Sequence, residues 1–140
     1  MNATPSILHL TAGVEDLTYI REFLRDQALR LRVDDSICYD IQLAVTELVT
    51  NTLLYGYASQ RGFIEIVLEW DGSNLLIWIR DKAKIFDPHK APAPNLTNSL
   101  VERPLGGNGI YLALQSVDAL HHRPLPEGGN EIELIVHLKN

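Results

Sequence analysis

Residues 46–51 read TELVTN, and the fold is decided by the helix in which they sit. Just upstream, Ile37, Ile41 and Val45 lead to Leu48 at spacings of four, four and three, the buried stripe of an amphipathic helix. Either Asp34 or Asp35 can cap that helix, and both suit its positive end. Glu47 and Asn51 then stand one turn apart beside the stripe, on a face shared with Asp40 and Ala44. On spacing alone such a pair is a solvated helix face. Its company along the chain argues for more.

Before this helix, Ile7, Leu8 and Leu10 predict a short strand, and Leu17, Ile20, Leu24, Ala28 and Leu31 predict a helix from about Val14 to Leu31. After it, Gly56 and Gly62 bracket a break. Ile64, Ile66, Leu68 and Trp70 alternate with Glu65 and Glu69 as in a half-buried strand, DGSN at 71–74 signals a hairpin, and the apolar run from Leu75 to Arg80 predicts a central strand ending at Asp81. From Lys82 to Arg103 periodicity is lost, and prolines at 88, 92, 94 and 104 exclude a regular helix or central strand. An irregular stretch of that length is a functional lid or is disordered. Ile110 to Leu120 reads as a helix, and Ile132, Leu134, Val136 and Leu138 alternate in a last strand. Strand, helix, helix, hairpin, long loop, helix, strand predicts an α+β two-layer sandwich, with three helices on one face of a mixed, mostly antiparallel sheet of about four strands.

Composition narrows the chemistry. The 140 residues fit one domain with a core of its own, and 46% hydrophobic with 21% charged residues is ordinary for a globular protein. No apolar run is long enough to cross a bilayer and no signal-peptide pattern opens the chain, so a cytoplasmic protein without membrane contact is expected. The net charge of −6 argues against direct nucleic-acid binding, which rewards clustered Lys and Arg. The single cysteine, Cys38, falls in an apolar helical pattern and reads as a buried thiol. His121 and His122, read as a solvated pair in a loop after the last helix, show no metal-ligand spacing, and no zinc is expected.

A carboxylate, an amide on the same helical face and the glycine-rich turn Gly106, Gly107, Gly109 opening a helix are the parts needed to hold a metal-bound nucleotide. Such glycines let backbone amides approach phosphate oxygens where the helix dipole also favours anions, though a tight turn needs the same residues. Asp81 ends an otherwise apolar strand, at the floor or mouth of a pocket, or else caps the turn that follows.

TELVTN with Tyr57 shortly after, IRDKAKIFDP at 79–88 and LGGNGIYLALQSVDAL at 105–120 resemble the helix motif and two glycine boxes of the Bergerat-type (GHKL) ATP-binding fold of histidine kinases, gyrase B subunits and heat-shock chaperones. Within that superfamily the chain most resembles the bacterial anti-sigma factor serine/threonine kinases, over nearly its whole length, and the Phe-Asp-Pro at 86–88 is typical of that group. The resemblance implies a single histidine-kinase-like ATPase domain over 1–140, with an ATP lid at about 86–105, using ATP and Mg²⁺. It implies that Asn51 ligates Mg²⁺, that Glu47 is the general base toward an attacking hydroxyl, and that Asp81 accepts a hydrogen bond from the adenine amino group. Nucleotide contacts are implied for Ala83, Phe86 and Asn130, and for Gly106, Gly107, Gly109 and Ile110. Arg103 and Asn108 can reach the terminal phosphate, or are plain loop residues.

The activity implied is transfer of the γ-phosphate of ATP to a serine or threonine of an anti-anti-sigma (STAS-type) protein, with sequestration of a sigma factor and formation of a homodimer. Three positions depart from the pattern. Ala83 stands where glycine is usual, Tyr55 where histidine is frequent, and Asn130 where threonine usually precedes the last strand. A methyl group at 83 narrows the adenine side, or is harmless if the backbone angle there is negative. These departures support a second reading, a non-catalytic partner-switch module that works by protein binding alone. A third, a detached histidine-kinase catalytic domain, is disfavoured by the absence of preceding dimerisation helices and by Phe-Asp-Pro.

Overall fold

Alternating apolar residues build the sheet. In the computed structural model, which describes residues 5–91 and 109–138, the strands are β1 (Ser6–Ala12), β2 (Gly62–Trp70), β3 (Asn74–Asp81), β4 (Ala119–Pro124) and β5 (Asn130–His137). Their order across the sheet is β1-β2-β3-β5-β4, and every neighbouring pair is antiparallel. The inner side presents cross-strand rows such as Ile66, Ile79 and Ile132, then Leu68, Ile77 and Leu134, all buried. Helices α1 (Leu17–Arg30), α2 (Asp35–Asn51) and α3 (Gly109–Ser116) cover that side, and Ile20, Leu24, Ile41, Val45 and Leu48 complete one core with it. This is the expected two-layer α+β sandwich.

Several boundaries differ from the sequence reading. Val14–Asp16 forms a 3-10 turn before α1 begins at Leu17. Asp34 occupies the N-cap position of α2, yet its side chain makes no capping bond. The last helix stops at Ser116 rather than Leu120, and His121 and His122 lie on β4, a fifth strand, instead of in a loop. The sheet captures this segment directly. The Asp118 N–H donates to the Ile135 carbonyl at 2.9 Å, and the Asp118 carboxylate accepts from the His137 N–H at 2.7 Å. As an edge strand, β4 alternates too weakly to advertise itself, because Leu120 is its only buried residue.

The outer side carries an ionic row across all five strands. In register stand His9, Glu65, Arg80, Glu131 and Arg123, with contacts of 3.2, 2.7, 2.7 and 2.8 Å between successive members. Burial alone would raise the Glu131 carboxyl, but hydrogen bonds from Arg123 and Arg80 outweigh it and hold its pKa below the usual range. Opposite charges facing each other across strands favour this register over a one-residue slip.

Residues 1–4, 92–108 and 139–140 lie outside the described residues, and with them most of the expected lid and Arg103, Gly106, Gly107 and Asn108. Among the described residues no helix is long and apolar enough to cross a membrane.

Tyr57 ties the ends of the hairpin together. Its hydroxyl donates to the Phe63 carbonyl and accepts from the Lys82 N–H, both at 2.7 Å, and its ring fills the space left by Gly62. Tyr57→Phe removes both of these bonds, and is expected to lower the unfolding free energy by about 1–2 kcal/mol in urea titrations.

Candidate nucleotide site

The stripe that buries α2 leaves Glu47 and Asn51 half-buried on its flank, where they line an open groove with Thr50, Leu54 and Tyr55. Glu47 also lies against the start of α3. A Cβ at Gly109 would collide with a Glu47 carboxylate oxygen, although Gly109 itself has no positive φ. Glycine at 109 leaves room for the Glu47 carboxylate in this position, although that flexible side chain could turn aside from a methyl group. The structure thus brings the Glu47 carboxylate to the first residue of the glycine-box helix.

Beyond Asn51 the chain continues through a wide π-type turn, Thr52–Gly56, in which the Tyr57 N–H reaches the Thr52 carbonyl at 2.8 Å. Such turns often sit at functional sites. This one carries Gly56 onto Ala83, and a Cβ on Gly56 would stand 2.8 Å from the Ala83 methyl. The departure at 83 is therefore matched by a missing side chain at 56. Ala83 also lies outside the left-handed region, so its methyl group is not strained.

Ala83 belongs to a second cluster, centred on Asp81. That residue is 2% exposed at the inner end of β3. Its Oδ1 accepts from the Ala83 N–H at 2.9 Å and from Asn130 Nδ2 at 2.9 Å. Burial pushes the Asp81 carboxyl up, and these hydrogen bonds only partly offset it. Gly129, at φ +96°, brings the start of β5 against the Asp81 carbonyl so closely that no side chain fits. Asn130, 3% exposed, also donates to the Lys84 carbonyl at 3.0 Å and accepts from the Phe86 N–H at 2.9 Å and from His122 Nε2 at 2.8 Å.

Of the residues singled out by sequence, Glu47, Asn51, Gly109 and Ile110 gather along α2 and α3, with Ile110 buried in the core. Asp81, Ala83, Phe86 and Asn130 gather at the end of β3, and the contact between Gly56 and Ala83 joins the two groups. Sequence reasoning missed His122 and Gly56. The shared parity of Leu120 and His122 on one strand would have found the first. The second shows only in three dimensions.

Comparison with known proteins identifies the family. The Histidine kinase-like ATPase domain family matches residues 10–136. The anti-sigma F factors of Thermoanaerobacter sp. (strain X514) and Thermoanaerobacter pseudethanolicus (strain ATCC 33223 / 39E) are each 31% identical over 100 residues, covering 71% of this chain and 69% of theirs. The chain belongs to the histidine kinase-like ATPase family, in its anti-sigma factor group.

Among solved structures, this ATPase domain is similar to the RsbU and RsbW domains of Rv1364c from Mycobacterium tuberculosis, with a TM-score of 0.65 and 20% identity. The match covers 96% of this chain and 33% of that longer one. It is also similar to the Acinetobacter baumannii histidine kinase AdeS, with a TM-score of 0.51 and 14% identity over 98% of this chain and 68% of the other. At those identities the likeness speaks for the fold alone.

Membership implies nucleotide binding, and the donor set suits the hard cation that accompanies a nucleotide. Asn51 offers one amide oxygen beside an open groove, and among the described residues no cluster of His, Cys, Asp or Glu could cage a metal. Mg²⁺ held by one or two protein oxygens, phosphates and water fits such a site.

Two expectations follow. Gly56→Ala destabilises by crowding Ala83, and adding Ala83→Gly relieves it, giving a favourable coupling of about 1 kcal/mol or more in a double-mutant cycle measured in urea. Asp81→Asn removes a buried charge whose folded-state pKa is raised. The native carboxyl binds its proton more readily than the unfolded one, so the wild type gains stability as pH falls through the raised value toward the ordinary one and carries the cost above it. The variant is therefore expected to be more stable at neutral pH, and the difference is expected to shrink in unfolding curves taken from about pH 8 down to about pH 4.

Proposed function

We propose that this chain is an ATP-dependent serine/threonine protein kinase of the anti-sigma type. It phosphorylates an anti-anti-sigma (STAS-type) protein and also sequesters a sigma factor. The observation that carries the reading is the Glu47 carboxylate, set one turn from Asn51 in a shared groove and pressed against the first residue of α3. A kinase of this kind needs an acid beside the phosphate-binding turn and an amide oxygen for the cation, both on a rigid element.

Asn51 would hold Mg²⁺, which when bound neutralises charge between the phosphates. The Asp81 carboxylate accepts from the adenine 6-amino group, held in place by the Ala83 N–H and Asn130. Backbone amides at the start of α3 would bind the phosphates, since the helix dipole favours anions there. Glu47 accepts the proton of a substrate serine or threonine hydroxyl as its oxygen bonds to the γ-phosphorus. The bond from that phosphorus to the β,γ-bridging oxygen breaks, and ADP leaves with the electron pair. The product is a phosphoserine or phosphothreonine on the partner protein.

The name of the Thermoanaerobacter relatives supports the regulatory half of this reading, in which the same molecule grips a sigma factor. In this reading it does so in the cytoplasm and as a homodimer. A module that binds partners without catalysis is the competing reading. Its support weakens because Ala83 is accommodated by Gly56 and Asn130 stays bonded to Asp81.

Incubation with labelled ATP, Mg²⁺ and an anti-anti-sigma protein is expected to yield acid-stable phosphate on that protein. Glu47→Gln is expected to keep ATP bound while slowing transfer by about 10²- to 10⁴-fold. Asn51→Ala is expected to lose Mg²⁺-dependent ATP binding with little change in unfolding midpoint, since the position is half-exposed on a helix. Equal loss of ATP binding in both variants would overturn this division of roles, and ATP binding without transfer by the unaltered protein would favour the module.

A further inference from the structure

Strands β3, β5 and β4 bring together a polar cluster on the face opposite the ionic row, with His122 reaching Asn130 diagonally from its place beside Ile132. Arg80, Glu131 and Arg123 point outward, while their chain neighbours Asp81, Asn130 and His122 meet on the inner side. The Asn130 amide is saturated there. Its two N–H donors go to Asp81 Oδ1 and the Lys84 carbonyl, and its oxygen accepts from the Phe86 N–H and His122 Nε2.

These partners fix the orientation of every group. A main-chain N–H from Phe86 can only donate and a carbonyl at Lys84 can only accept, so the Asn130 oxygen faces Phe86 and its nitrogen faces Lys84 and Asp81. His122 must then donate from Nε2, which it does both as the Nε2–H neutral tautomer and as the cation. No polar atom of the Asn130 amide has a spare role. The amide joins the acid at the end of β3 to both ends of the Lys84–Phe86 segment, and the imidazole closes the side of the cluster that faces the sheet edge.

We propose that His122 is a positioning residue which, through Asn130, fixes Asp81 and the Lys84–Phe86 segment for recognition of a purine 6-amino group. The proposal rests on the nucleotide reading above and deepens it. His122 touches no nucleotide in this account. It acts by holding an amide that holds the reading carboxylate, so its loss is felt in base selectivity and not in phosphoryl transfer. A hydrogen bond of ordinary net strength sets the scale of the effect at about three- to tenfold.

The test compares the full chain with His122→Ala and His122→Gln, the latter able to donate from a similar position. Hydrogen exchange of the Phe86 amide is followed without nucleotide, and affinities for ATP and for inosine triphosphate, which carries a 6-oxo group, are measured by titration. His122→Ala is expected to speed Phe86 exchange and to lower the ratio of ATP to inosine triphosphate affinity, each by about three- to tenfold, with kcat at saturating ATP unchanged. His122→Gln is expected to restore both. Unchanged exchange and an unchanged affinity ratio in His122→Ala would overturn the proposal alone, leaving the nucleotide reading in place. Failure of the unaltered protein to bind ATP would overturn both.

Discussion

Asp81 brings a carboxyl group to the inner face of a sheet lined mostly by isoleucine, leucine and valine, and burial there raises its pKa. An isolated charge in such a place is expensive, so the surroundings must supply hydrogen bonds in fixed directions. Much of the local architecture meets that need. The chain turns back at Ala83 so that its N–H can donate, Gly129 just before β5 lets that strand approach, and Asn130 opens β5 with an amide in place of an aliphatic side chain. A fold that needed only stability would place a hydrophobic residue there. Keeping an acid with most of its hydration removed makes sense when a ligand completes its bonding.

The ionic row on the outer face belongs to the same arrangement. Strand alternation means that Arg80 and Asp81, or Glu131 and Asn130, exchange faces if the register slips by one. Each cross-strand ion pair outside therefore helps to specify a hydrogen bond inside. A single exposed pair is worth little, but Glu131 is 9% exposed and shared by two arginines, which makes it a stronger determinant than a lone surface contact.

What the sequence made legible followed from period and burial. Strong alternation in β2 and β5, the apolar run of β3 and the stripe of α2 identified the sheet, its hairpin and the helix carrying Glu47 and Asn51, because those elements are buried on a full face. β4 escaped notice because an edge strand with one buried residue has no pattern to read, and its absence turned His122 into a loop residue. The end of α3 was misplaced for a related reason. It is set by the capture of Asp118 by β5, a contact between segments that lie close in space but are separated in the chain by a whole strand. The match between Gly56 and Ala83 was likewise invisible, since each residue taken alone reads as either a break or a defect.

Gly109 bears on whether the acid is a working group or a remnant. Glycine within a helix costs about 0.5–1 kcal/mol relative to alanine, because more backbone freedom is lost on folding. A positive φ would justify that cost, and Gly109 has none. What the missing methyl group provides is room for the Glu47 carboxylate at the head of α3. Had Glu47 only to support the helix surface, it could turn along α2 into solvent and leave position 109 free for a better helix former. The closeness of the acid to the head of α3 is what the proposed role of Glu47, proton removal beside a bound phosphoryl group, calls for, and a purely adhesive surface does not call for it.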